Sequence, residues 1–106
     1  MKPIVDEVAR KLRDALKESM DDFEGLYVFG SQVRGDATED SDVDIVLIIN
    51  RDYFDLPDEY YNIYGKMLAD YYELIDLDIH TKTMYDLEQN PIFYDEVVNK
   101  GVYYGW

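Results

Sequence analysis

Gly30-Ser31-Gln32-Val33-Arg34-Gly35-Asp36-Ala37-Thr38-Glu39-Asp40-Ser41-Asp42-Val43-Asp44-Ile45 is the stretch whose reading decides the fold. The apolar run Leu26–Phe29 precedes it and Val43–Ile49 ends it, so two strands bracket a glycine-serine turn and a short polar segment, Gln32–Ser41. Gly30 lets the backbone approach a phosphate closely. If Gln32–Arg34 opens a helical turn, Ser31 and the N–H groups after it point at that anion. Strand side chains alternate, so Asp42 and Asp44 share a face with Cα atoms about 6.6 Å apart. Two such carboxylates can converge on Mg²⁺, a hard cation that takes oxygen ligands and commonly binds through one or two carboxylates plus substrate phosphates. Two ions about 3.5–4 Å apart would steady both the attacking and the leaving oxygen of an in-line displacement.

Aspartate is the commonest residue of the chain, which makes a solvated acidic loop the competing reading. Context weighs against it. Asp44 runs directly into Ile45-Val46-Leu47-Ile48-Ile49, too apolar for a surface tail, and like charges at the end of a core strand cost free energy unless a cation balances them.

The segment Gly30–Ile45 resembles the signature of the polymerase β-type nucleotidyltransferases, and more narrowly the minimal nucleotidyltransferase (MNT) branch that includes MntA-type antitoxins. The resemblance covers nearly the whole chain. It implies a third carboxylate from a later strand, in an apolar-Asp-apolar-x-Thr context. Leu77-Asp78-Ile79-His80-Thr81 matches that context and carries the role to Asp78, with Asp76, of the same parity, as its rival. The resemblance further implies ATP as substrate with Mg²⁺ or Mn²⁺, two ions, held by Asp42, Asp44 and Asp78. Gly30 and Ser31 would hold the distal phosphates. Arg34 is the cation of the motif loop; it would offset triphosphate charge, or else pair with Asp36 or Glu39 on the surface.

With 106 residues the chain reads as one domain, 1–106. The family's antibiotic- and nucleic-acid-modifying members carry further domains, so the acceptor is expected to arrive with another molecule. A net charge of −14 argues against a surface that tracks phosphate backbones, since that affinity depends on Lys and Arg; direct nucleic-acid binding is not expected, and basic proteins are the better partners. There is no cysteine and hence no disulfide framework. The Met1-Lys2-Pro3 opening is not that of a signal peptide, and the longest apolar stretch is far short of the roughly 20 residues of a membrane span. No membrane association is expected, and the cytoplasm is the default location.

Along the rest of the chain, Ile4, Val8, Leu12, Leu16 and Met20, widened by Val5 and Ala9, predict a helix from Pro3 to about Met20. Asn50–Pro57 reads as a polar loop. A second long helix follows from Asp58-Glu59 to about Glu73, with acids where the helix dipole favours them. Tyr60, Tyr61, Tyr71 and Tyr72 cannot all point inward from it; among eleven tyrosines in all, exposed ones would suit a protein interface, buried ones ordinary packing. Leu74–Thr81 alternates Ile75, Leu77 and Ile79 against Asp76, Asp78 and His80, predicting a third strand beside and parallel to the second. His80 would assist an acceptor or simply hydrogen-bond near the site. Thr83 with Asp86, and Asn90 with Pro91, are two helix starts, the second opening an apolar face of Ile92, Phe93, Val97 and Val98 that ends at Lys100-Gly101. Val102–Trp106 adds an edge strand, packs under a helix or meets a partner.

The expected fold is therefore a small α/β domain of the polymerase β-like type, a mixed sheet of three or four strands backed by helices. The expected reaction is transfer of AMP from ATP to a hydroxyl, by resemblance a tyrosine of a HEPN-domain toxin, with the chain acting as antitoxin. A binding-only antitoxin is the alternative, and a small-molecule nucleotidyltransferase of the antibiotic-modifying kind a weaker one.

Overall fold

A computed structural model describes residues 1–38, 42–51 and 56–105. The Glu39 alternative for Arg34, the end of the Gln32–Ser41 segment, the middle of the Asn50–Pro57 loop and Trp106 lie outside the described residues. In chain order the elements are α1 (Pro3–Ser19), β1 (Phe23–Phe29), α2 (Ser31–Arg34), β2 (Val43–Ile49), α3 (Asp58–Tyr71), β3 (Leu77–Lys82), α4 (Met84–Glu88), α5 (Pro91–Tyr94), a π-helical turn (Asp95–Asn99) and β4 (Val102–Tyr104).

The alternation of β2 decides where the rest sits. Val43, Ile45, Leu47 and Ile49 join a core with Val5, Val8, Leu12 and Leu16 of α1 and Tyr60, Met67 and Tyr71 of α3. Val46 and Ile48, on the opposite face, join Phe29, Leu87 and Val97. The sheet is thus sandwiched between α1 and α3 on one side and α4, α5 and the π-helical turn on the other. Asp44 belongs to the second face and is the one residue of β2 that is not buried.

The sheet order is β3-β2-β1-β4. β1 pairs antiparallel with β2 and with β4, while β2 and β3 are parallel, as a helical crossover through α3 requires. The C-terminal aromatic tail therefore supplies an edge strand, the first of its three expected roles. Tyr104 hydrogen-bonds to Asp6 on α1 at 2.8 Å and Tyr103 to the Glu24 carbonyl at 2.6 Å, which ties the last strand back to the first elements.

Three expectations need correction. β1 begins at Phe23, three residues before Leu26, because a register shift between Phe23 and Gly25 carries the polar Glu24-Gly25 pair into the strand. Leu74–Asp76 is not strand: α3 closes with the Ile75 amide bonded to the Tyr71 carbonyl at 3.0 Å, and β3 starts only at Leu77. Ile92 is 86% exposed, outside the expected apolar face, because the chain widens from α-helix to a π-helical turn and only Val97 reaches full burial there. The two helix starts form as expected, with the Thr83 hydroxyl accepting from the Asp86 amide and the Asn90 side chain from the Phe93 amide, both at 3.1 Å. The four α3 tyrosines divide: Tyr60 and Tyr71 are buried, Tyr61 and Tyr72 exposed. No helix among the described residues is long and apolar enough to cross a membrane.

Candidate active site

Parallel pairing sets Asp44 of β2 directly beside Asp78 of β3, and antiparallel pairing sets Phe29 of β1 on its other side. Neighbouring strands lie about 4.8 Å apart, so the two carboxylates emerge side by side on one sheet face. Burial comes first in pushing the Asp44 carboxyl above its ordinary value, followed by the Asp78 charge, a hydrogen bond with Asp78 and the Asp42 charge. Two acids that would both ionise in water are thus held where one of them resists ionising. Asp42 stands one residue before β2, exposed, within electrostatic reach of Asp44. Asp76, the rival for the third position, lies before β3; its carbonyl accepts the Val43 amide at 2.8 Å and its side chain is exposed. The residue in register with Asp44 is Asp78.

Gly30 follows β1 directly and has φ +80°, with the amides of Val33 and Arg34 returning to its carbonyl to open α2. A Cβ at this position would collide with the Asp44 carboxylate, so the turn and the acidic pair are built against each other. Ser31 is the first residue of α2, a helical turn of Ser31–Arg34. Arg34, at its far end, bonds Glu96 at 2.6 Å and lies 3.5 Å from Asp36. The Asp36 pair was among the expected alternatives. Glu96, sixty-two positions away in sequence, was not visible in local pattern. His80 Nε2 stands 3.3 Å from Asp78 Oδ2.

The arrangement suits a hard divalent cation in its chemistry: carboxyl oxygens on one sheet face, with the Gly30 turn packed beside them. Among the described residues no three Asp, Glu or His side chains are gathered as closely as a bound ion would draw them. Asp44 and Asp78 form a register pair, and Asp42 is the carboxylate adjacent to it. Sequence reading missed the aromatic wall next to it. Phe29 and Phe93 meet edge to face at 5.4 Å, and the Phe29 and His80 rings lie 6.4 Å apart. Phe29 was legible as the β1 neighbour of the turn, but Phe93 comes from the C-terminal helices and only packing brings it here.

The four-strand mixed sheet with its packed helices has the architecture of a nucleotidyltransferase core. The chain belongs to the nucleotidyltransferase domain family, whose model matches residues 9–104. It is 27% identical over 101 residues, 95% of this chain and 90% of the relative, to a provisionally named protein adenylyltransferase of Methanocaldococcus jannaschii. In fold it is similar to a chain of a toxin–antitoxin structure with AMP-PNP (TM-score 0.62, 20% identity, 92% of this chain and 73% of that one). It is similar likewise to a chain of the tri-AMPylated Shewanella oneidensis HEPN toxin in complex with its MNT antitoxin (TM-score 0.57, 17% identity, 96% and 73%).

Proposed function

We propose that this nucleotidyltransferase transfers AMP from ATP to a tyrosine hydroxyl of a HEPN-domain toxin and so acts as an antitoxin. The observation that carries the reading is the register pair Asp44–Asp78 packed against Gly30. The M. jannaschii relative, provisionally named for protein adenylylation, and the structural neighbours with AMP-PNP and an AMPylated toxin support the choice of nucleotide and acceptor.

Asp42, Asp44 and Asp78 would hold Mg²⁺ or Mn²⁺, which when bound neutralises phosphate charge and lowers the barrier to attack on the α-phosphorus. Gly30 and Ser31 hold the distal phosphates through backbone and hydroxyl. Arg34 exchanges its Glu96 partner for phosphate oxygen. Asp78, on the edge strand, faces the incoming acceptor and helps take its proton as the new P–O bond forms and pyrophosphate leaves. Like other phosphoryl transfers, the work is positioning and charge neutralisation.

Incubation of the chain with α-labelled ATP, Mg²⁺ and a HEPN-domain partner should place label on that partner, and Asp78→Asn should abolish the labelling while the complex persists. If Asp42→Asn/Asp44→Asn neutralises the toxin as well as the unaltered chain does, with no label transferred, binding alone is the mechanism. Label on a small hydroxylated compound with none on protein would assign the antibiotic-modifying class.

A further inference from the structure

We infer that the outer face of α3 is where two copies of this chain meet, as a twofold helix pair with Tyr61 of each copy against Tyr72 of the other and Leu68 of each seated over Gly65 of the other. Neither tyrosine belongs to the site described above, and both are open to solvent, Tyr61 at 56% and Tyr72 at 79%. At 100° per residue, Tyr61, Gly65, Leu68 and Tyr72 fall within about 60° of one another, at intervals of four, three and four positions. Tyr72 keeps αR backbone angles just past the last residue of α3, so the stripe runs unbroken to it. Tyr60, Met67 and Tyr71 hold the helix to the core by another side.

Gly65 is the first argument. Glycine in a helix interior weakens the helix, yet a Cβ at Gly65 would meet no described atom within 4 Å. Its φ is not positive either. The fold of one chain therefore gives this glycine no task. A helix approaching from outside does, because the missing side chain leaves a hole that a leucine can fill. In an antiparallel pair with its axis between Lys66 and Met67, position 65 of one helix faces position 68 of the other, and 61 faces 72. The stripe is thus its own complement, as a twofold interface requires. Tyr61 is already held by an edge-to-face contact with Tyr60, ring centroids 5.1 Å apart, so little side-chain freedom is lost on docking.

Charge is the second. A net charge of −14 repels a second copy over most of the surface. The stripe is neutral, and so are its flanks, Asn62 and Ala69 on one side and Tyr64 on the other. Lys66 and Asp70 turn away from it by helical spacing, and Asp58 and Glu73 stand at its ends. An aromatic face without charge on so acidic a molecule fits a copy of itself better than a basic partner, which would find no carboxylate there to pair with.

Sedimentation equilibrium of the unaltered chain should show monomer and dimer in exchange, with the dimer tightening as ionic strength rises to about 0.5 M, since salt screens the repulsion and leaves the apolar contact intact. Gly65→Leu should weaken the dimer about tenfold or more. The same substitution should raise the thermal midpoint of the dilute chain, because leucine favours helix and meets no obstacle within the fold, so the loss is not unfolding. Tyr72→Lys should weaken the dimer as much, although it lowers the net charge. Tyr85→Lys, at an exposed tyrosine of α4, should leave it unchanged. A chain that stays monomeric at every concentration and salt overturns the inference, as does a dimer that survives both Gly65→Leu and Tyr72→Lys or that weakens with salt. It is overturned too if those two variants lose label transfer to a HEPN-domain partner with self-association unchanged, which would give the face to the toxin.

Discussion

At the scale of single residues, two glycines with positive φ separate backbone need from site need. Gly30 and Gly35 have φ +80° and +87°, but a side chain at Gly35 meets nothing within 4 Å, whereas one at Gly30 collides with Asp44. Gly35→Ala should therefore cost about 1–2 kcal/mol for the left-handed backbone alone and leave nucleotide binding intact. Gly30→Ala should cost at least as much and abolish Mg²⁺-dependent binding of an ATP analogue. Urea melts beside calorimetry check both; equal binding losses in the two variants would mean that the turn acts by conformation and not by its fit to the carboxylate.

At the scale of elements, the short helices α4 and α5 cover the sheet face that carries Phe29, Val46 and Ile48, and neither could stand alone. Isolated helices of this length are unstable in water, so packing must hold them. Leu87, 1% exposed, is the buried side chain that α4 sets against the Val46–Ile48 face of the sheet, with Met84 partly buried beside it. Leu87→Ala should cost about 2–5 kcal/mol and loosen the corner that carries Phe93 and Asn90. The expected result is a lower urea midpoint with an unchanged slope; a loss below about 1 kcal/mol would show that capping, not burial, anchors α4.

For the molecule as a whole, acidity on the surface is matched by phenols that resist ionisation. Burial raises Tyr27, Tyr60 and Tyr71 above the ordinary tyrosine value, with a hydrogen bond to Glu7 adding at Tyr71. Tyr104 is pushed to about 12 by burial and by its bond to Asp6. The folded state thus binds phenolic protons more tightly than the unfolded chain does. Stability is full below the unfolded tyrosine value of 10.0 and falls as pH rises from there toward about 12. The urea midpoint should hold steady through mildly alkaline pH and then drop, and Tyr104→Phe should shallow the drop. A midpoint independent of pH across that range would mean that these phenols ionise alike in both states.

Local pattern was enough for the helices α1 and α3, the buried run of β2, the glycine-serine turn and the two helix caps, because each is set by spacing or by a side chain bonding its own backbone within a few residues. Strand alternation alone likewise puts Asp78 and His80 on one face of β3. Register between strands was not legible, since Asp76 and Asp78 share that parity and only pairing across the sheet sets Asp78 beside Asp44. Nor were the Arg34–Glu96 bond, the place of Phe93 against Phe29, or the exposure of Ile92. These depend on how α5 and the π-helical turn settle on the sheet, a balance of contacts between segments far apart in sequence. The amino-acid sequence determined which residues are candidates for the proposed chemistry; the tertiary structure decided which of them meet, because register and packing are properties of pairs of elements and not of any one segment.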